Sequence, residues 1–212
     1  MYQSVLATSK TLQHYLETQI VADPFLGGSG AGAGPFTTRG MKVSLRTPKE
    51  MDTLEEGLSL WLYRVVVDDQ SLNDPPRRIS ATQVQDRPLP LRLHYLVTPL
   101  TSRDNDGDPE TEQYLLGKVL QLFHGKPCFR GADLREQLTG TDAHLTVRLE
   151  TMGLEEITRV WDALEGSYQL SVSYEVSTVH IESGLQPVSG PRVRTVLPDY
   201  GVIARAEGGS AA

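Results

Sequence analysis

The sequence predicts an α+β fold, a mixed and mostly antiparallel sheet packed by about three helices. Three observations predict it. Apolar and polar residues alternate along 87–99, 144–150 and 168–181, the period of a strand with one buried face. Apolar residues recur at three- and four-residue steps along 3–20, 110–124 and 153–165, the period of an amphipathic helix. Short connections and alternating strands favour antiparallel returns over a doubly wound parallel sheet.

The elements follow in order. Residues 3–20 carry Val5, Leu6, Leu12, Tyr15, Leu16 and Ile20 on one helical stripe, and Asp23-Pro24 stops the helix. The glycine-dense run LGGSGAGAG at 26–34 holds no fixed backbone by itself, so 23–40 is expected to be a mobile loop or flap. Met41 to Arg46 is a short strand. Thr47-Pro48-Lys49-Glu50 has the capping-box form: Thr47 accepts from the amide of Glu50, Glu50 reaches back, and Pro48 takes the first helical position. Leu58 to Val67 is rich in β-branched and aromatic residues and suits a strand covered on both faces. Residues 68–86, with Asn73-Asp74-Pro75-Pro76, read as a long loop. In 87–99, Leu89, Leu91, Leu93, Tyr95 and Val97 share a face; Pro88 and Pro90 lack ladder donors and place this end at a sheet edge or outside it, and Pro99 closes the strand.

The acidic turn 101–108 precedes a helix capped by Asp108, with Pro109 at its first position and Tyr114, Leu115, Val119, Leu122 and Phe123 on its stripe. Gly125 ends it. His144 to Glu150 is a strand, Gly153 to Glu165 a helix with Leu154, Ile157, Val160, Trp161 and Leu164 inward, and Tyr168 to Ile181 a long strand. The body therefore spans 1–184, and 185–212 reads as an extended tail with a short Arg192–Leu197 strand.

Composition excludes several function classes. With 212 residues, 39% apolar and 22% charged, the chain is long enough for one sizeable core. It holds no run of about 18 apolar residues, so no transmembrane helix is expected. Its first twenty residues lack a basic leader followed by an apolar run, so it is expected to fold in the cytoplasm. A net charge of −7 without a Lys/Arg cluster argues against wrapping nucleic acid. Cys128 is the single cysteine; this excludes an intrachain disulfide, and its setting between Pro127 and Phe129 reads as a small core residue.

Motifs for chemistry fail on detail. The glycine run lacks G-x-x-x-x-G-K-[ST], and Ala33 breaks G-x-G-x-x-G. Ser29 lacks the glycine that G-x-S-x-G needs at Ala31. If Asp104, Asp106 and Gly107 took the third, fifth and sixth places of a calcium loop, Gln113 would stand where a bidentate glutamate is needed. His14, His94, His124, His144 and His180 form no H-x-x-x-H or H-x-E; His94 and His144, both on expected strands, are candidates to meet in space. Glu155 and Glu156 are adjacent and point to different helix faces. No catalytic constellation, metal site or cofactor loop is expected.

Three segments together carry a resemblance: Arg87-Pro-Leu-Pro-Leu-Arg-Leu-His-Tyr-Leu-Val-Thr-Pro99, Glu112-Gln-Tyr-Leu-Leu-Gly-Lys-Val-Leu-Gln-Leu-Phe-His124, and Trp161-Asp-Ala-Leu164 followed by Tyr168-Gln-Leu-Ser-Val-Ser-Tyr-Glu-Val176. Their order and spacing resemble the N-terminal domain of the tail-cap protein of extracellular contractile injection systems, the antifeeding prophage among them. The opening helix and Leu62-Tyr63-Arg64-Val65 fit as well, so the resemblance covers about 1–182. It implies a phage tail-terminator-like fold and a structural role: six copies in a ring that ends the inner tube and anchors the last sheath layer. Partners are then the chain itself, the tube protein and the sheath protein, without nucleic acid or membrane insertion. It carries no catalytic residues.

A terminator grips one end of a polymer and offers nothing to the next subunit. Strand edges and extended arms serve this by adding to a partner's sheet, and a head-to-tail interface closes into a ring by rotation. Candidate interface residues are Phe25, Phe36 and Arg39 in the flap, Arg77 and Arg78 in the 68–86 loop, and Arg192, Arg194 and Tyr200 in the tail. Two other classes compete. One is an adaptor joining the particle to a membrane or envelope partner; the other is a small enzyme, which convergent His, Asp or Ser side chains in a deep pocket would favour.

Overall fold

The computed structural model describes residues 2–28, 32–72, 77–80, 82–101, 107–182, 184, 186 and 188–189. The elements run α1 (Ser4–Val21), α2 (Pro35–Thr38), β1 (Lys42–Ser44), α3 (Pro48–Leu54), β2 (Gly57–Val67), β3 (Arg77–Arg78), β4 (Gln83–Gln85), β5 (Leu89–Leu100), α4 (Pro109–Gly125), β6 (Cys128–Arg130), β7 (His144–Leu149), α5 (Leu154–Ala163), β8 (Val172–Ile181) and β9 (Val188–Ser189). A six-stranded sheet in the order β1-β2-β5-β8-β7-β6 forms the frame. Only β1 and β2 pair in parallel; every other neighbour is antiparallel. The fold class is the mixed α+β that the alternating strands predict.

One face of the sheet carries the main core. Leu58 and Leu60 of β2, Leu91, Leu93, Tyr95 and Val97 of β5, and Tyr174, Val176 and Val179 of β8 meet α1 and α4 there. α1 presents a different stripe from the one its large apolar residues predict. Ser4, Ala7, Thr8, Ser9, Thr11, Leu12, Leu16 and Ile20 are buried, and Leu6 is exposed. Small hydroxyls suit this contact because they donate back into their own helix: Thr8 to the Ser4 carbonyl and Thr11 to that of Ala7, both at 2.8 Å. The backbone of α1 thus lies close to the sheet, and the Ser9 hydroxyl reaches the Tyr95 hydroxyl at 2.8 Å.

The opposite face is covered by α5, through Ile157 and Trp161 packed on Leu96, with Trp61 and Tyr63 half-buried beside them. This corrects the expectation for β2. Its first four residues are buried, but from Trp61 onward the strand outruns its cover, leaving Val65 and Val67 exposed.

Two bulges set which side chains face which way. β2 and β5 slip register between Leu62 and Arg64, so Tyr63 and Arg64 both oppose His94. β5 and β8 slip between Leu91 and Leu93, so Val176 and Val179 both face the core although they stand three positions apart. The strand expected over 168–181 therefore starts at Val172 and changes parity midway; Tyr168 and Leu170 are exposed before it.

β5 is not an edge strand. It lies between β2 and β8 and runs through Pro90 and Pro99 to Leu100. Pro90 serves as an acceptor, taking the Asp68 amide at 3.0 Å, and the β2 ladder ends across Leu91, so the donor that Pro90 lacks falls past the end of that ladder. Residues 68–86 hold two short strands, β3 and β4, which form a second sheet with β9. The edge strand β6 also lay inside an unassigned stretch. Alternation on it buries Phe129 and turns Cys128 outward, so the cysteine is exposed rather than core. The expected Arg192–Leu197 strand and the acidic turn at 102–106 lie outside the described residues.

Candidate functional site

The flap is held by its own chemistry. Asp23 ends α1 and accepts the amides of Phe25 at 2.9 Å and Leu26 at 3.0 Å, while Lys118 of α4 pairs with its other oxygen at 2.8 Å. Burial pushes the Asp23 carboxyl up, but Lys118 and the two amides outweigh it and hold the group below the usual carboxylate range. The outgoing leg is bonded to the incoming one: Gly34 donates to Gly27 at 3.1 Å and Phe36 to Leu26 at 2.9 Å. A Cβ on Gly27 would lie 1.9 Å from the Val21 carbonyl, and one on Gly34 would lie 2.2 Å from that of Phe25. These glycines permit close packing of backbone on the two described legs of the expected 23–40 flap. Residues 29–31 lie outside the described residues.

The structure separates the candidate interface residues. Phe36 is 2% exposed, packed in the main core where no partner reaches it. Phe25 is 57% exposed and its ring stands 4.7 Å from that of Tyr114, itself 54% exposed; sequence spacing placed Tyr114 on the buried stripe of α4. Arg39 is clamped between Glu56 at 2.8 and 3.1 Å and Asp108 at 3.4 Å, and these carboxylates raise its already high pKa. Arg39 thus latches the flap to the N-terminus of α4, where Asp108 caps the Thr111 amide at 3.0 Å. Arg77 and Arg78 form β3. Arg192, Arg194 and Tyr200 lie outside the described residues.

The half-covered face of the sheet holds a polar cluster that sequence spacing does not reveal. The register sets His94 of β5 opposite Glu175 of β8, and Glu150 follows the end of β7. His94 Nδ1 lies 2.9 Å from Glu150 Oε1, and Ser173 Oγ donates to Glu150 Oε2 at 2.5 Å. The Tyr63 hydroxyl meets Ser173 at 3.0 Å. Burial raises the Tyr63 pKa, against the pull of Ser173. Beside this, Arg92 binds Asp68 at 3.0 and 2.5 Å and comes within 3.7 Å of Glu175. Burial raises the Asp68 carboxyl, and Arg92 with the Gln70 amide and Ser71 hydroxyl more than reverses it, leaving the group below its ordinary value. His144 does not meet His94: Glu175 faces Arg148 on β7, four residues along from His144.

This convergence is not a nucleophile–base pair. Glu150 stands between Ser173 and His94, so the serine proton points at a carboxylate and not at the imidazole. A groove of about 520 Å³ between β2 and α5 opens beside it, lined by Trp61, Tyr63, Arg64, Glu150, Met152 and Arg159 among others. It is a shallow cleft on a sheet surface. Among the described residues, no helix is long and apolar enough to cross a membrane.

The fold is thus a curled, mostly antiparallel sheet with helices on it and, among the described residues, two edges without a neighbouring strand, similar to the folds of phage tail terminators. The chain belongs to the family of the Pvc16 N-terminal domain, which it matches over residues 7–195. Two solved structures share the fold at 17% identity. One is the sheath/tube terminator of the PVC extracellular contractile injection system in its extended state, with a TM-score of 0.50 over 100% of this chain and 65% of that one. The other is the tube-terminating cap of the anti-feeding prophage, with a TM-score of 0.54 over 94% of this chain and 61% of that one. The chain therefore spans less than two thirds of either solved chain. No curated protein matches it.

Proposed function

We propose that this chain is a structural cap subunit of a contractile injection particle, ending the inner tube and anchoring the last sheath layer as a six-membered ring. The observation that carries this is the likeness to a sheath/tube terminator and a tube-terminating cap across 100% and 94% of the chain, within a shared family. Partners on this reading are copies of the chain, the tube protein and the sheath protein. The net charge of −7 disfavours nucleic acid, and assembly would take place in the cytoplasm, at the distal end of the particle.

Two features support a gripping role. β1 and β6 close the order of the six-stranded sheet, so each leaves an outer edge unpaired among the described residues. The exposed Phe25–Tyr114 pair adds an aromatic contact of the kind that anchors interfaces. Phe25, Arg77, Arg78, Arg192, Arg194 and Tyr200 remain the proposed contacts; Phe36 is excluded by burial, and Arg39 acts by holding the flap. The body spans 1–184 on this reading, with 185–212 as an arm.

Deleting the gene and imaging the purified particles by electron microscopy tests the role. The expected outcome is tubes or sheaths of uncontrolled length, or sheaths that fall apart. Uniform, intact particles would overturn it.

A further inference from the structure

We propose that His94, Glu150 and Glu175 form a binding site for a zinc-class divalent cation that ties β5, β8 and the end of β7 together. One ligand atom from each of the three lies within 4.8 Å of the others. An imidazole nitrogen with two carboxylate oxygens is a donor set that suits such a cation.

Three further observations support the site. The His94 side chain is 7% exposed, and among the described residues its Nε2 is buried without a hydrogen-bond partner while Nδ1 meets Glu150. Arg92 is committed to Asp68 and approaches Glu175 only to 3.7 Å, while Arg64 and Arg159 line the groove that Glu150 opens into. Arg148, opposite Glu175 in register, is exposed. A bound dication would give Glu150 and Glu175 a shared cation on a half-buried surface, where a carboxylate without a close partner is costly. The site also has support and access. Ser173 and Tyr63 orient Glu150 from behind, as outer hydrogen bonds do for metal ligands, and Glu150 lines the open groove.

The test uses the full chain carrying Cys128→Ser, so that the exposed thiol contributes nothing, after dialysis against a chelator. Calorimetric titration with zinc chloride is expected to show one site with a dissociation constant of about 10 µM or tighter, and a Tm rise of about 5 °C at saturation. Magnesium chloride is expected to give no heat, since it binds such a nitrogen-containing set poorly. Adding His94→Ala or Glu175→Gln should weaken zinc binding by about tenfold or more. Cobalt chloride should give visible d–d bands in the parent that His94→Ala abolishes. A parent with neither zinc heat nor a cobalt band overturns the site whether or not the variants fold. Undiminished binding in folded His94→Ala overturns it equally.

Discussion

Asp68 shows how single side chains hold the ends of β2 and β5 together. Its carboxylate takes two bonds from Arg92, the Gln70 amide and the Ser71 hydroxyl, and its side chain is 9% exposed. Because its folded-state pKa is lowered, it contributes stability that is complete above the unfolded carboxylate range, near pH 4, and is lost as pH falls through the folded value. Asp68→Asn should therefore cost about 2–3 kcal/mol at pH 7. The gap from the parent should close as both approach pH 2, which urea unfolding across pH 2–7 reads directly. The buried Tyr95 hydroxyl makes a gentler case. Burial drives its pKa far above the usual phenol range, so it stays a neutral hydrogen-bonding group at any working pH. Its partner Ser9 also bonds the Val5 carbonyl at 3.2 Å, so Tyr95→Phe leaves that hydroxyl served and should cost only about 1 kcal/mol by thermal melting.

Elements whose signal is local were legible in the sequence. The capping box at Thr47 forms as its residues predict: the Glu50 amide donates to Thr47 at 3.2 Å and the Thr47 amide to Glu50 at 3.1 Å. The Asp108 cap is equally local, and the stripes of α4 and α5 were legible in part: Tyr114 and Leu154, expected on them, are exposed. What failed was decided by distant partners. Pro90 argues for an edge until the position of β2 shows which backbone group it must supply. The parity of β8 changes at a bulge that only pairing with β5 creates. The His94 cluster draws on three segments between 94 and 175, so no spacing motif announces it. The glycine run reads two ways: flexible composition and tight backbone packing require the same residue, and only contacts tell them apart. Two substitutions separate the roles. Gly27→Ala drives a methyl to 1.9 Å from the Val21 carbonyl and should cost about 3 kcal/mol or more. Gly32→Ala meets nothing within 4 Å and should stay within about 0.5 kcal/mol. Equal, small effects on urea midpoints would mean that the legs are not zipped in solution.

The described core draws on residues from Ala7 to Ile181, and helices cover one face of the sheet much better than the other. Stability and assembly should therefore be separable along the chain. Removing 190–212 takes away no member of the described core, so the melting temperature should stay within about 3 °C of the parent. The same truncation removes Arg192, Arg194 and Tyr200, half of the proposed contacts that remain. If the tail is an arm, the truncated chain should fold normally and yet fail to co-sediment with tube and sheath ends. Phe25→Ser, at a ring already 57% exposed, should weaken co-sedimentation with little change in melting temperature. Full co-sedimentation of the truncated chain would move the grip from the tail to the body, onto the free edges of β1 and β6. A truncated chain that melts far below the parent would instead make 190–212 part of the fold, and the division at 184 would fail with it.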